Sequence, residues 1–172
     1  MNEASKWLTP EEQDAWRSVV RMQEKLGGRL SRCLQSGSGL SAADYAVLLD
    51  LAGAPGGRMR HVDLARCLDW EKSRMSHQIS RMVKRGLVAR EGCPDDGRGA
   101  FVVITPAGRE VIAVAAPLHM EAVRRLFIDL LAPDELRLYA SVANRVVARM
   151  EERSSVRIDL ARPATADGVS VE

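Results

Sequence analysis

Cysteine is scarce in this chain: three in 172 residues, Cys33, Cys67 and Cys93. The number is odd and the three lie far apart with no Cys-x-x-Cys pair, which argues against a disulfide scaffold, a zinc ribbon or a dithiol redox motif. Long apolar runs are missing too. The longest stretch without a polar or charged side chain is Val111–Leu118, far short of the roughly 20 residues of a membrane-spanning helix, so no membrane partner is expected. There is no Gly-rich phosphate loop and no nucleophile–base pair at a readable spacing, and His61 and His119 have no carboxylate or cysteine at ligand spacing. These absences speak against an enzyme, a cofactor and a metal site. The opening Met1-Asn2-Glu3-Ala4-Ser5-Lys6 is polar and acidic where a secretory signal would be basic and then apolar, so residence in the cytoplasm is expected.

What the chain does contain is an ordinary globular composition, 46% apolar and 28% charged, at the length of one domain. Its charge is unevenly placed. The formal net charge is only +2, yet Lys72, Arg74, Arg81, Lys84, Arg85 and Arg90 fall in one segment without a single acid, which leaves the remainder of the chain net acidic. A basic stripe on a helix is the footprint of a nucleic-acid-binding surface, although many charge runs are only solvated faces.

Helix signals place that segment. Thr9-Pro10-Glu11-Glu12 offers a capping hydroxyl, a proline at the first helical position and the glutamate of a capping box, and the apolar spacing that follows predicts a helix over 10–35, broken at Ser36-Gly37-Ser38-Gly39. Ser41-Ala42-Ala43-Asp44 caps a second helix that ends at the Gly53–Gly57 turn, and Val62, Ala65 and Leu68 fit a short third. From Lys72 to Gly86, Met75, Ile79, Met82 and Val83 form one apolar helical face. The opposite face carries Ser73, Arg74, His77, Ser80, Arg81 and Lys84, with Lys72 and Ser76 on one flank and Arg85 on the other.

Two strands are expected next, Leu87–Glu91 and Ala100–Ile104, around a loop of turn formers from Cys93 to Gly99. Thr105-Pro106 opens a fifth helix expected to end near Leu131, with a kink at Pro117. Pro133 opens a sixth, striped by Leu136, Tyr139, Ala140, Ala143, Val146, Val147 and Met150. The organisation expected is therefore a mainly α chain with a small β-hairpin wing: helical regions at 1–40 and 105–153 that pair two copies, a lobe at 41–104, and a mobile tail at 154–172.

Two helices joined by a short turn, the second basic on its outer face, and then a hairpin describe a winged helix-turn-helix. Leu64-Ala65-Arg66-Cys67-Leu68, the basic helix closing in Arg85-Gly86-Leu87-Val88, Asp96-Gly97-Arg98, and Ile104-Thr105-Pro106-Ala107-Gly108 together resemble the MarR family of bacterial transcription regulators, over residues 10 to 152. That resemblance implies a homodimer joined by the first, fifth and sixth helices, double-stranded DNA as partner, a recognition helix in each major groove and wing arginines in the minor groove. By position it assigns DNA binding to Lys72, Ser73, Arg74, Ser76, His77, Ser80, Arg81, Lys84 and Arg98, with Asp96 supporting the wing. Two departures stand out: Glu71 replaces the small residue that usually caps the recognition helix, and the wing tip has one arginine where many members have two.

The resemblance also implies a small-molecule effector at the junction of lobe and dimerising helices, where Trp16, Trp70 and Arg90 are the candidate contacts. The function expected is that of a repressor of a pseudo-palindromic operator released by a small, phenolic ligand. Two alternatives stand beside it. One is a redox regulator acting through a cysteine, with Cys93 expected to be the most exposed of the three thiols. The other is a winged helix used for protein contacts alone, which the Arg, Lys, Ser and His content of the basic face disfavours.

Overall fold

The computed structural model describes the backbone of residues 7–93 and 96–154 and the side chains of residues 7–92 and 100–151. In chain order the elements are α1 (Pro10–Ser38), α2 (Ala42–Gly53), a 3-10 turn at Pro55–Gly57, β1 (Arg58–Arg60), α3 (His61–Cys67), α4 (Lys72–Lys84), β2 (Val88–Cys93), β3 (Asp96–Ile104), α5 (Pro106–Leu126), a second 3-10 turn at Ile128–Leu130 and α6 (Pro133–Ser154). The chain forms two compact units, one up to Ile128 and one from Asp129. The expected tail lies, beyond Ser154, outside the described residues.

α1 begins as the sequence predicts, with Thr9 Oγ1 accepting from the Glu12 amide and the Glu12 carboxylate accepting from the Thr9 amide. It runs past the expected break. Ser36 and Ser38 donate their hydroxyls to the carbonyls of Arg32 and Leu34, at 2.9 and 2.8 Å, one turn back along the same helix. Gly37 is helical as well, and its lack of a side chain makes room for α5, since a Cβ there would sit 2.9 Å from Leu118 Cδ1. Only Gly39, in the left-handed region at φ 68°, ends the helix.

The sheet has the order β1-β3-β2, antiparallel throughout. The sequence gives no sign of β1, since Arg58-Met59-Arg60 has no apolar run of its own and becomes a strand only by pairing with Val103, Val102 and Phe101. The hairpin strands are also longer than expected. β2 reaches Cys93 and β3 starts at Asp96, so the backbone of 96–99 belongs to a strand rather than a loop. Backbone pairing needs no apolar alternation, which is why this extension left no pattern to read. α5 passes through Pro117 as one helix and stops at Leu126, before the expected end.

The core of the first unit is built from Leu34, Leu40, Val47, Leu48, Leu51, Leu64, Met75, Ile79, Met82, Val88, Val102, Ile104 and Ile112. Val83, expected on the apolar face of α4, is instead exposed, and Gln78 takes a buried place beside Met75, Ile79 and Met82. The reason is Asp44, the capping-box residue of α2, which is itself buried. Its carboxylate accepts hydrogen bonds from the Ser41 amide at 3.0 Å, Gln78 Nε2 at 2.7 Å and Arg85 Nη1 at 2.6 Å. Arg85 also donates to the Gly39 carbonyl at 2.9 Å, and Arg81 donates to the Gln78 amide oxygen.

Burial pushes the Asp44 carboxyl up, but the bonds from Ser41 and the Arg85 guanidinium outweigh it and hold the group below the ordinary aspartate value. A lowered folded-state pKa stabilises the fold fully above the unfolded value of about 3.9 and loses that contribution as pH falls through the folded value. Asp44→Asn removes the charge and forces an amide against two donors. It should cost about 2 kcal/mol in urea unfolding at pH 7, less than a fully buried pair because Arg85 is partly solvated, and the gap from wild type should narrow as pH falls below the unfolded value of about 3.9. A gap that stays constant from pH 7 to pH 3 would contradict this.

Candidate nucleic-acid interface

The turn from α3 into α4 is tight. Asp69 takes a positive φ of 49°, a conformation that Asp tolerates better than most residues, and Trp70 N–H bonds the Ala65 carbonyl at 2.9 Å. Glu71 occupies the N-cap without a side-chain hydrogen bond to the first turn. The positive end of the α4 dipole is thus left without an internal side-chain acceptor.

With Met75, Gln78, Ile79 and Met82 turned inward, Lys72, Ser73, Arg74, Ser76, His77, Arg81 and Lys84 are exposed. They share no single setting. Arg74 is stacked over the Trp70 ring, guanidinium carbon to centroid 4.3 Å, so its direction is fixed by a cation–π contact. Arg81 is bonded to Gln78. Ser80 differs from the rest: it is half-buried, donates to the Ser76 carbonyl at 2.8 Å and accepts from Arg90 Nη2 at 2.9 Å. Arg90, on β2, also reaches the Ser76 carbonyl at 3.3 Å. Ser76 Oγ lies 3.4 Å from His61 Nε2. Burial and, after it, the Arg90 charge hold His61 below the ordinary imidazole value.

The sheet contributes cations that the sequence reading missed with β1. Arg58 lies over the Phe101 ring at 4.0 Å and 3.6 Å from Glu91, and Arg60 stands 5.8 Å from the same ring. A strand of three residues has no periodicity to reveal it. The Trp70–Arg74 stack did have a signal, an aromatic four residues before a cation at a helix start. The wing residues Asp96 and Arg98 have their backbone in β3, and their side chains lie outside the described ones.

The expected effector contacts stand in three different settings. Trp16 is 58% exposed on α1, Trp70 packs on the core beneath Arg74, and Arg90 is bonded to Ser80 and Ser76. Arg90 therefore already has acceptors on α4. Cys33 is a half-buried free thiol and Cys67 an exposed one, while the Cys93 side chain lies outside the described residues. Among the described residues no group of three or more His, Cys, Asp or Glu side chains is placed to hold a metal ion. Nor is any described helix long and apolar enough to cross a membrane.

Known proteins share this arrangement. A model of the MarR family matches residues 38–99, the span from the end of α1 into β3. Transcriptional regulator HosA of Escherichia coli O111:H- is 31% identical over 108 residues, 63% of this chain and 78% of that one. The crystal structure of AbsC, a MarR family transcriptional regulator from Streptomyces coelicolor, superposes with a TM-score of 0.82 at 41% identity, covering 86% of this chain and 99% of AbsC. Sco3205, a MarR family regulator from the same organism solved in complex with DNA, gives 0.80 at 39% identity over 86% and 91% of the two chains. With the outward basic face of α4 held on a winged scaffold that the two solved relatives match over 86% of this chain, the chain belongs to the MarR family and is a DNA-binding transcriptional regulator, not an enzyme.

Proposed function

We propose that the protein is a homodimeric repressor that seats one α4 in each of two successive major grooves of a pseudo-palindromic operator and leaves it when a small organic anion binds. The observation that carries the DNA reading is the exposed face of α4, rich in cations and hydroxyls and free of acids. Lys72 and Ser73 at the helix start suit phosphate, since backbone N–H groups and the dipole favour an anion there. Arg74, His77 and Arg81 suit base edges, and Ser76 and Lys84 flank them. Arg98 is assigned to the minor groove, oriented by Asp96. Repression follows from occupancy, because a dimer seated across a promoter excludes polymerase.

Residues 41–104 form the DNA-binding lobe in this reading, and 1–40 with 105–153 the dimerising region. Support comes from apolar side chains left open on three helices: Trp16 and Val19 of α1, Val114, Leu118 and Met120 of α5, and Val142, Val146, Val147 and Met150 of α6. Faces of this kind at the scale of an obligate dimer bury more than about 2,000 Å². Sedimentation should give a dimer at micromolar concentration, and a monomer there would overturn the dimeric reading.

A groove between α1 and α5 favours the anionic effector. Arg29, Arg32 and Arg125 line it beside Cys33 and Leu126, and no carboxylate does. Three guanidiniums on an apolar floor suit an aromatic acid better than Trp16, Trp70 and Arg90 do. Cys33 in the same groove makes thiol oxidation the competing signal. Phenolic acids should release DNA from a variant with all three cysteines changed to Ser, and should fail on Arg29→Ala/Arg125→Ala. Release by peroxide alone, lost in the cysteine-free variant, would replace the ligand by a redox switch.

Binding itself should weaken steeply with salt, log K falling by about 0.9 per tenfold rise in salt for each phosphate contacted. On the duplex that the protein selects from a random-sequence pool, Arg74→Ala should cost about 1–3 kcal/mol and relax the preference at one base pair. Trp70→Ala, which removes the ring under that guanidinium, should reproduce part of this loss. Equal losses on selected and random DNA would leave Arg74 as a phosphate anchor and contradict its assignment to a base.

A further inference from the structure

We infer that Arg90 and Ser80 are positioning residues for DNA reading: Arg90 ties the recognition helix to the wing strand through the Ser80 hydroxyl and the Ser76 carbonyl, and neither side chain touches DNA. This departs from the assignment of Ser80 to DNA and of Arg90 to an effector. It rests on the reading of α4 as the DNA-facing helix.

The geometry leaves Ser80 little to offer a base. Its hydroxyl hydrogen goes to the Ser76 carbonyl and its oxygen accepts from Arg90, so a serine has spent its donor and one of its acceptor sites inward. Arg90 in turn is held where it can do this. It is the third residue of β2, paired with Val102 of β3, and Val102 is completely buried in the core. A guanidinium projecting from so fixed a strand, with one nitrogen within 3.3 Å of two acceptors on neighbouring turns of α4, limits both rotation and sliding of the helix against the sheet. The same turn is approached from the other side, where Ser76 Oγ lies beside His61 at the start of α3.

The consequence is a fixed offset between the helix that enters the major groove and the hairpin that follows the backbone beside it. Two contacts on one duplex reinforce each other only if their spacing is set before binding, because each freedom frozen on the DNA subtracts from affinity. Arg90 sets that spacing in the free protein. A competing role, a direct bond from Arg90 to phosphate, would require it to release Ser80.

The two roles differ in their salt dependence. Affinity for the duplex selected by the wild-type protein is measured against salt for wild type, Ser80→Ala, Arg90→Met, Arg90→Lys and Ser80→Ala/Arg90→Met. Ser80→Ala and Arg90→Met should each lose about tenfold, the scale of one charge-assisted hydrogen bond, with the wild-type salt slope retained. The double variant should lose no more than Arg90→Met alone, since the bond that Ser80→Ala removes is one of the two that Arg90→Met removes. Arg90→Lys should not rescue, because its ammonium keeps the charge but stands one bond nearer the backbone than Nη2 and so falls short of both acceptors. A slope lower by about 0.9 in Arg90→Met and restored in Arg90→Lys would overturn the inference in favour of a phosphate contact; so would losses that add in the double variant, or no loss at all. Amide hydrogen exchange in the DNA-free protein judges the tie separately. Faster exchange across α4 in both single variants is expected, and unchanged protection overturns the tie. If wild type selected no duplex, the DNA-facing reading of α4 would fail while exchange still decided the tie.

Discussion

The orientation of α4 depends on one buried carboxylate. Asp44 closes the capping box of α2 and at the same time accepts from Gln78 and Arg85 on α4. Those two partners lie two turns apart on the same face of the helix, about 10 Å along its axis. Bonds to two such points fix both the rotation of α4 about its axis and its position along it, which apolar packing of Met75, Ile79 and Met82 alone would leave looser. A buried charge is costly unless fully paired, and here Ser41, Gln78 and Arg85 together satisfy it.

Everything on the outer face follows from that orientation. With Gln78 turned inward, Arg74, His77 and Arg81 point to solvent, and two of them are further restrained, Arg74 by Trp70 and Arg81 by Gln78. The Arg81–Gln78–Asp44–Arg85 chain thus joins an exposed cation of α4 to the core of the lobe. Arg85, a cation by composition, serves the scaffold instead. The acid-free stretch from Lys72 to Arg90 therefore divides into cations on the open face of α4 and cations bonded within the lobe, with Arg85 and Arg90 in the second group.

The division explains what the sequence could and could not reveal. Caps at Thr9, Ser41 and Thr105, the apolar spacing of α4 and the turn residues around the wing are local signals, and each element they mark is present. Three of the misses depend on partners distant in sequence. β1 exists only because Val102 and Val103 pair with it, the helical Gly37 lets Leu118 of α5 pack where a side chain would stand, and Gln78 is buried because Asp44, thirty-four residues earlier, accepts from it. Projection of a helix separates its faces but cannot say which polar residue has a buried partner. Val83, on the apolar face by spacing, is exposed while Gln78 is buried.

The central claim is that α4 enters the major groove, and guanine N7, exposed in that groove alone, reports it directly. Dimethyl sulfate protection of the selected duplex should show two tracts of shielded N7 atoms, centred about 10 base pairs apart on one face of the DNA, as two symmetry-related recognition helices require. Bound duplex whose guanines all remain as reactive as free DNA would contradict the account.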